Sequence, residues 1–312
     1  MASSVAGPRA PQTVADIPPT LTGAVLDWYE ICARDLPWRD RRVSPWAVLV
    51  SEIMLQQTPV NRVLPVWHAW LDRWPTAPAL AAEPAGEAVR MWGRLGYPRR
   101  ALRLHQTATA VTELHGGRIP DELDQLLKLP GVGTYTARAV AAFAFRQRHA
   151  VIDVNVRRFV GRAVSGRDDQ RTTTSRRDLE LVESLLPDDP QTAARASAAF
   201  MELGALVCIA RTPRCDACPV RQKCAWLRMG SPPADGPSRR PQGYAGTDRQ
   251  VRGRLLAVLR ESDGPVHQDS LDAVWDEPAQ RNRALGGLVD DGLAVMVAPG
   301  VYALPGDPAI GD

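Results

Sequence analysis

Four of the chain's five cysteines fall in one run, Cys208-x6-Cys215-x2-Cys218-x5-Cys224. Four thiolates at such spacing suit either a tetrahedral zinc ion or an iron–sulphur cluster. Zinc ribbons usually present two short Cys-x-x-Cys knuckles, whereas here only Cys215 and Cys218 form one, and the first gap is long. Without an export signal, a metal site is the better reading than disulfides. The loop between Cys208 and Cys215, IARTPR, carries Arg211 and Arg214. A metal that pins this loop would let it offer two guanidinium groups to a phosphate backbone. Cys32 stands alone and reads as a small buried hydrophobe.

A second chemical feature is Leu129-Pro130-Gly131-Val132-Gly133, which joins two helical segments. Gly131 and Gly133 let the backbone turn sharply and come close to a partner. The amides of Gly133 and of the following helix start can face a phosphate, helped by the helix dipole. A plain helix connection has the same composition, so the glycines alone select nothing. Together, the hairpin and the downstream cysteines resemble the helix-hairpin-helix DNA glycosylases of the endonuclease III superfamily. The resemblance runs from about Leu21 to Leu227. It implies a [4Fe–4S] cluster on Cys208, Cys215, Cys218 and Cys224, and double-stranded DNA as the partner.

The same resemblance assigns the carboxylates. Family members place an Asp after the hairpin helix, here Asp153 in VIDVNVRR, where an anion stabilises the cationic sugar left as the base departs. Asp153 also has the sequence position of a helix N-cap. The stretch SEIMLQQT, Ser51 to Thr58, resembles adenine DNA glycosylases that excise adenine opposite 8-oxoguanine. In that comparison Glu52 protonates the flipped base, Gln56, Gln57 and Thr58 form the segment that fills and reads the opened stack, and Tyr97 in LGYPRR wedges beside 8-oxoguanine. Trp38 and Arg39 match the segment lining the adenine pocket, and Asn155 matches an Asn that orders the site around the sugar. Members that also cut the strand carry a Lys after the hairpin. The matching residue here is Tyr135, so the resemblance implies base removal without strand cleavage. Two departures stand out. Pro98 replaces a second aromatic, and nothing after Arg249 resembles the nudix-like domain that many relatives use to read 8-oxoguanine.

These groups need a helical scaffold. Apolar periodicity predicts helices over Thr20–Ala33, Trp46–Leu55, Val60–Arg73, a short-helix region over Thr76–Val89, a helix from the LGYPRRA turn to about Leu114, then Asp121–Leu127 and Thr134–Phe145. VIDVNVRR reads as an extended lead-in to another helix, and two more follow, Leu179–Leu186 and Thr192–Cys208. Strand propensity is almost absent up to Phe145, so the expected fold is all-α. Residues 1–19 read as a disordered tail, 36–150 as a helical barrel, and 20–35 with 151–228 as the cluster domain. The active site is expected in the cleft between those two parts. After a 229–249 linker, residues 250–306 read as a small winged-helix-like domain with a β-hairpin turned at Pro299-Gly300.

The chain has 312 residues, enough for two domains. Net charge is only +3, which permits a nucleic-acid partner without demanding one. Arginines nevertheless group at Arg39, Arg41 and Arg42, at Arg94, Arg99, Arg100 and Arg103, and at Arg157, Arg158 and Arg162. Each group reads either as a set of phosphate contacts or as a solvated helix face. No apolar run reaches membrane-span length and no secretory core is present, so a cytoplasmic, nucleoid-associated monomer is expected. The rival readings are a thymine or uracil mismatch glycosylase, a non-catalytic DNA-binding protein, and a winged-helix redox regulator that senses through its cluster.

Overall fold

The computed structural model describes residues 20–168, 171, 173–234 and 243–308. The tail expected at 1–19 and the middle of the expected linker lie outside the described residues. In chain order the elements are α1 (Leu21–Cys32), α2 (Pro45–Met54), α3 (Val60–Arg73), α4 (Ala77–Ala81), α5 (Ala85–Trp92), α6 (Arg99–His115), α7 (Leu123–Leu126), α8 (Thr134–Phe143) and α9 (Val154–Ala163). They continue with α10 (Arg176–Leu185), α11 (Pro190–Leu206), α12 (Ala225–Arg228), α13 (Asp248–Glu261), β1 (Val266–His267), α14 (Gln268–Asp272), α15 (Pro278–Asp290), β2 (Val295–Ala298) and β3 (Val301–Ala303). Helix starts follow side-chain chemistry. Thr20 accepts from the Gly23 amide at 3.0 Å, and Ser44 accepts from the Ala47 amide at 3.2 Å with Pro45 next in line. Ser175 and Asp178 form a reciprocal capping box on α10.

The chain divides into two compact units. Unit 1 takes residues up to Arg34, Ile152–Asp188 and Arg195–Ala234, and so holds α1, α9, α10, most of α11 and the cysteine loops. Its core packs Phe159 against Phe200 at 5.7 Å between ring centroids. The Thr22 hydroxyl donates to the Leu185 carbonyl at 2.7 Å, which ties α1 to the end of α10. Arg34 meets the fully buried Glu202 through two contacts of 2.7 Å, a forked geometry that favours a charged pair even out of water. The expectation for Cys32 fails: it is exposed. The buried face of α1 is set by Thr22 and Val25 in its first two turns, and Ile31 beside Cys32 is exposed as well.

Unit 2 takes Asp35–Val151, Asp189–Ala194 and Asp235–Asp312. Its tryptophans pack the core and also hold helices together through their N–H groups, as large amphipathic rings do when buried. Trp67 donates to the Ala47 carbonyl at 2.9 Å, and Trp46 donates to the Trp74 carbonyl at 3.0 Å. The region 76–89, expected as one short-helix stretch, is two helices, α4 and α5. Pro84 sits between them in extended backbone and lacks the N–H that would carry a helix through.

The C-terminal part has three helices and a three-stranded antiparallel sheet in the order β1-β3-β2. The expected hairpin forms, with Gly300 at φ 71° in its turn. Strand β1 was not expected, since two residues are too few to show alternation. A separate small domain was also expected, yet Leu255, Leu259, Leu288 and Leu304 lie in one buried cluster with Trp70, Leu104 and Val140. A unit this small buries too little of its own surface to stand alone comfortably. Polar ties reinforce the packing. Arg90 donates to the carbonyls of Leu259 and Arg260 at 3.2 and 3.1 Å and to that of Ser262, at the C-terminus of α13. Arg260 in return donates to the Val89 carbonyl of α5 at 2.9 Å. Each cation thus sits at the negative end of the other's helix. Gly86 lets Leu304 and Pro305 close in, for a Cβ there would lie 2.9 Å from both.

Candidate functional site

In unit 1, Asp153 is the N-cap of α9, as its sequence position suggests. One carboxylate oxygen accepts from the amides of Asn155 and Val156 at 2.9 and 2.8 Å, and the other accepts from the Asn155 side-chain amide at 2.7 Å. Burial pushes its pKa above the ordinary carboxylate range, opposed by those three donors and by Arg158. Asn155 is itself fixed. Its side-chain oxygen accepts from Arg158 at 2.7 Å, and Gly204 of α11 lies so close that a Cβ there would stand 2.5 Å from the Asn155 carbonyl. Arg158 goes on to donate to the carbonyls of Cys208 and Gly204, both at 2.6 Å. A continuous hydrogen-bonded path therefore runs from the Asp153 carboxylate through Asn155 and Arg158 to the first cysteine of the run.

The arginines of α9 correct both sequence readings. Arg157, Arg158 and Arg162 are buried, so they are neither a solvated face nor free for phosphate. Arg157 donates to Thr174 at 2.6 Å. Arg162 pairs with Asp168 at 3.0 Å, donates to the carbonyls of Ile209 and Ala210 at 2.8 Å, and lies 4.8 Å over the Trp226 ring. Asn155, Arg158 and Arg162 stand at i, i+3 and i+7 on one helix face. That shared face was a signal available in the sequence.

The four cysteines line one pocket with Phe159, Arg162 and Trp226. Among the described residues, no three His, Cys, Asp or Glu are close enough to hold a single metal ion. With Zn–S near 2.3 Å, one zinc would draw its sulphurs to about 3.8 Å apart. Four thiols around one pocket are a donor set that can hold a metal group. Burial pushes the Cys208, Cys215 and Cys218 thiols up, Cys218 to about 11, so a metal group must displace their protons on binding. Arg162 donates to the Cys208 sulphur at 3.6 Å. Arg211 and Arg214 of the intervening loop are exposed.

Unit 2 carries the remaining candidates. Glu52 is 5 % exposed on α2, one turn before the loop Gln56-Gln57-Thr58. Gln56 donates to the Thr136 hydroxyl at 3.3 Å, which ties that loop to the first turn of α8 beside the half-buried Tyr135. Gln57 is exposed with φ 56°, and Tyr97 is 51 % exposed with φ 49°. Thr58 is buried and donates to the Leu95 carbonyl at 3.2 Å. Trp38 belongs to the core, edge-on to Trp67 at 5.7 Å, while Arg39 beside it is half-buried. Gly131 has φ 75°, and a Cβ there would strike Arg103 at 2.8 Å. Gly133 has no such cause: it caps α8 at φ −91° with nothing within 4 Å of a built Cβ. A bare backbone facing open space is what a closely approaching phosphate needs.

A glycine hairpin opening onto a helix start, and an acid held by the amides of the next helix in sequence, define a helix-hairpin-helix base-excision glycosylase. Residues 50–184 match the model of the HhH-GPD superfamily base excision DNA repair proteins. An adenine DNA glycosylase of Mycobacterium tuberculosis is 54% identical over 284 residues, covering 91% of this chain and 93% of its own. That of Mycolicibacterium smegmatis is 54% identical over 288 residues, covering 92% and 97%. A solved thermostable thymine-DNA glycosylase superposes with a TM-score of 0.62 at 27% identity, over 67% of this chain and 95% of its own. The chain belongs to the adenine DNA glycosylases, with DNA as its partner. No helix among the described residues is long and apolar enough to cross a membrane.

Proposed function

We propose that this glycosylase removes adenine paired with 8-oxoguanine or guanine, hydrolyses only the N-glycosidic bond, and leaves an intact strand with an abasic site. The observation that carries the reading is Glu52, buried one turn before the Gln56-Gln57-Thr58 loop, in the unit that also exposes Tyr97. A buried acid next to a base-flipping loop suits proton delivery to a leaving purine. In this reading Glu52 protonates the flipped adenine. Asp153 stays anionic, held by α9 amides and Asn155, and stabilises the sugar cation until water completes the step. Tyr135 offers no amine, so no covalent lyase step follows. Gln57 fills the vacated stack and Tyr97 wedges beside the opposite base. Gly131, Gly133, Arg211 and Arg214 hold phosphates.

Cys208, Cys215, Cys218 and Cys224 are assigned to a [4Fe–4S] cluster, which when bound supplies a rigid anchor for the loop bearing Arg211 and Arg214. The protein is assigned a monomeric, cytoplasmic role at the nucleoid. The test is single-turnover base release from A:8-oxoguanine, A:G, T:G and U:G duplexes. Adenine release is expected from the first two, with E52Q and D153N each slowed by about 10²-fold or more, and with no nicks before alkali. Release of thymine or uracil in its place would overturn the lesion assignment.

A further inference from the structure

Arg100 was grouped by sequence with Arg94, Arg99 and Arg103 as phosphate contacts or a solvated helix face, yet it is only 6 % exposed and points inward. One of its terminal nitrogens donates to the carbonyls of Ile53 and Met54 at 2.9 Å and to that of Gln56. The other donates to the Thr58 hydroxyl at 2.8 Å and to the Gly96 carbonyl at 3.0 Å. Its guanidinium carbon lies 5.2 Å from the Trp92 ring centre and 5.5 Å from that of Tyr97. Two of these acceptors stand out. The Gln56 carbonyl belongs to the peptide leading into Gln57, and the Gly96 carbonyl to the peptide leading into Tyr97. Gln57 and Tyr97 both have left-handed backbone, φ 56° and 49°, although neither is glycine. Side chains resist that region, and it persists only where neighbours over-determine it.

We propose that Arg100 is the positioning residue for base opening: one guanidinium locks the peptides before Gln57 and Tyr97, and so presents both side chains to DNA. The proposal rests on the reading that Gln57 and Tyr97 enter the stack. Only a planar fork can serve acceptors from the end of α2, its loop and the Gly96 turn at once. A lysine has donors at one point and reaches fewer of them. Burial lowers the Arg100 pKa to about 10, so the group remains a cation at neutral pH and suits the negative C-terminal end of α2.

The test uses an A:8-oxoguanine duplex with 2-aminopurine beside the target adenine, whose fluorescence rises when the stack opens. E52Q protein is expected to open the stack while releasing the base slowly, so the signal is read before release. Added Arg100→Met should lower the signal at saturating protein at least tenfold, with iron content unchanged and binding to undamaged duplex within about threefold. Arg100→Lys should recover part of it. Single-turnover release at saturating enzyme should fall at least 100-fold in R100M alone. A full signal in folded R100M overturns the proposal. Should R100M fail to fold, R100K decides, and wild-type opening and rate in R100K overturn it. Opening that depends on Arg100 in a protein that releases no adenine from either A mispair supports the proposal and sinks the lesion assignment instead.

Discussion

Replacing Asn155 by alanine isolates what holds Asp153. In the folded chain the Asn155 side chain gives one carboxylate oxygen its bond at 2.7 Å and receives Arg158 at 2.7 Å. N155A removes both while leaving the two backbone amides on the other oxygen. The freed oxygen can swing about the remaining anchor, and a displacement near 1 Å at a reacting centre costs about 10²-fold in rate. The plateau rate of adenine release should fall by that order. The pH profile carries an independent signature. Asp153 must be ionised to stabilise the sugar cation, so activity is lost as pH falls through its pKa. Burial already raises that pKa and the Asn155 amide opposes the rise. Losing the amide therefore moves the acid limb to higher pH. N155D sharpens the test, because it restores an acceptor for Arg158 but puts a like charge beside Asp153, which moves the limb further up. Single-turnover rates between pH 5 and pH 9, with iron content measured in each variant, check this. An acid limb that stays in place or moves down in N155A would refute the reasoning, and full rescue by N155D would show that only the Arg158 anchor matters.

Other outcomes follow from the same geometry. Because the folded chain holds the Asp153 proton more tightly than the unfolded chain does, native protein binds more protons in the window between the two pKa values. Ionising Asp153 thus costs stability as pH rises through that window, and denaturant melts should show D153N gaining on wild type from pH 4 upward, with a constant difference counting against it. Tyr135→Lys places an amine at the hairpin helix and should add strand nicking before alkali together with a borohydride-trapped adduct; absence of both would remove Tyr135 from the site. R211A and R214A should each weaken DNA binding evenly across sequences and lower the slope of log K against log salt by about 1, which salt-titrated anisotropy reads directly. Arg260→Met leaves the Val89 carbonyl at the end of α5 without its partner and should cost about 1–3 kcal/mol, with faster limited proteolysis of the C-terminal part, whereas unchanged melting and proteolysis would mean that the helix-end tie holds nothing.

Much of the scaffold was legible because short-range chemistry writes it. Val60–Arg73 was read from apolar spacing alone and matches α3 end to end. Asp153 announced itself as a cap before it could be seen capping. The hairpin glycines were legible too, but the two differ in kind: Gly131 is required by Arg103 and by its own φ, and Gly133 by nothing in the protein. What sequence could not show was the far partner of a charge. Arg100 finds carbonyls beyond forty residues upstream and Arg158 finds Cys208 fifty residues downstream, and no local pattern encodes such a meeting. The same holds for the C-terminal part, where the leucine periodicity of α13 reads equally as a self-contained core or as a face joined to the larger buried cluster.

The chain's cationic composition bears on both buried hubs. Lys128 and Lys223 are its only lysines among 38 basic residues. On a solvent-exposed phosphate-binding surface lysine would serve nearly as well, since a point charge suffices there. Inside, it would not. Arg158 must reach Asn155 and two carbonyls in one plane, and Arg100 must reach five acceptors drawn from α2, its loop and the Gly96 turn. Each hub sits one bond away from a residue assigned to DNA or sugar: Arg158 touches Asn155, and Arg100 holds the peptide before Gln57. In each case the charge is spent on backbone carbonyls, and the exposed or reacting side chain is aimed as a consequence. Arginines in this chain therefore carry two meanings: Arg100 and Arg158, buried on their helices, organise the interior, whereas Arg211 and Arg214, on an exposed loop, keep their charge toward solvent.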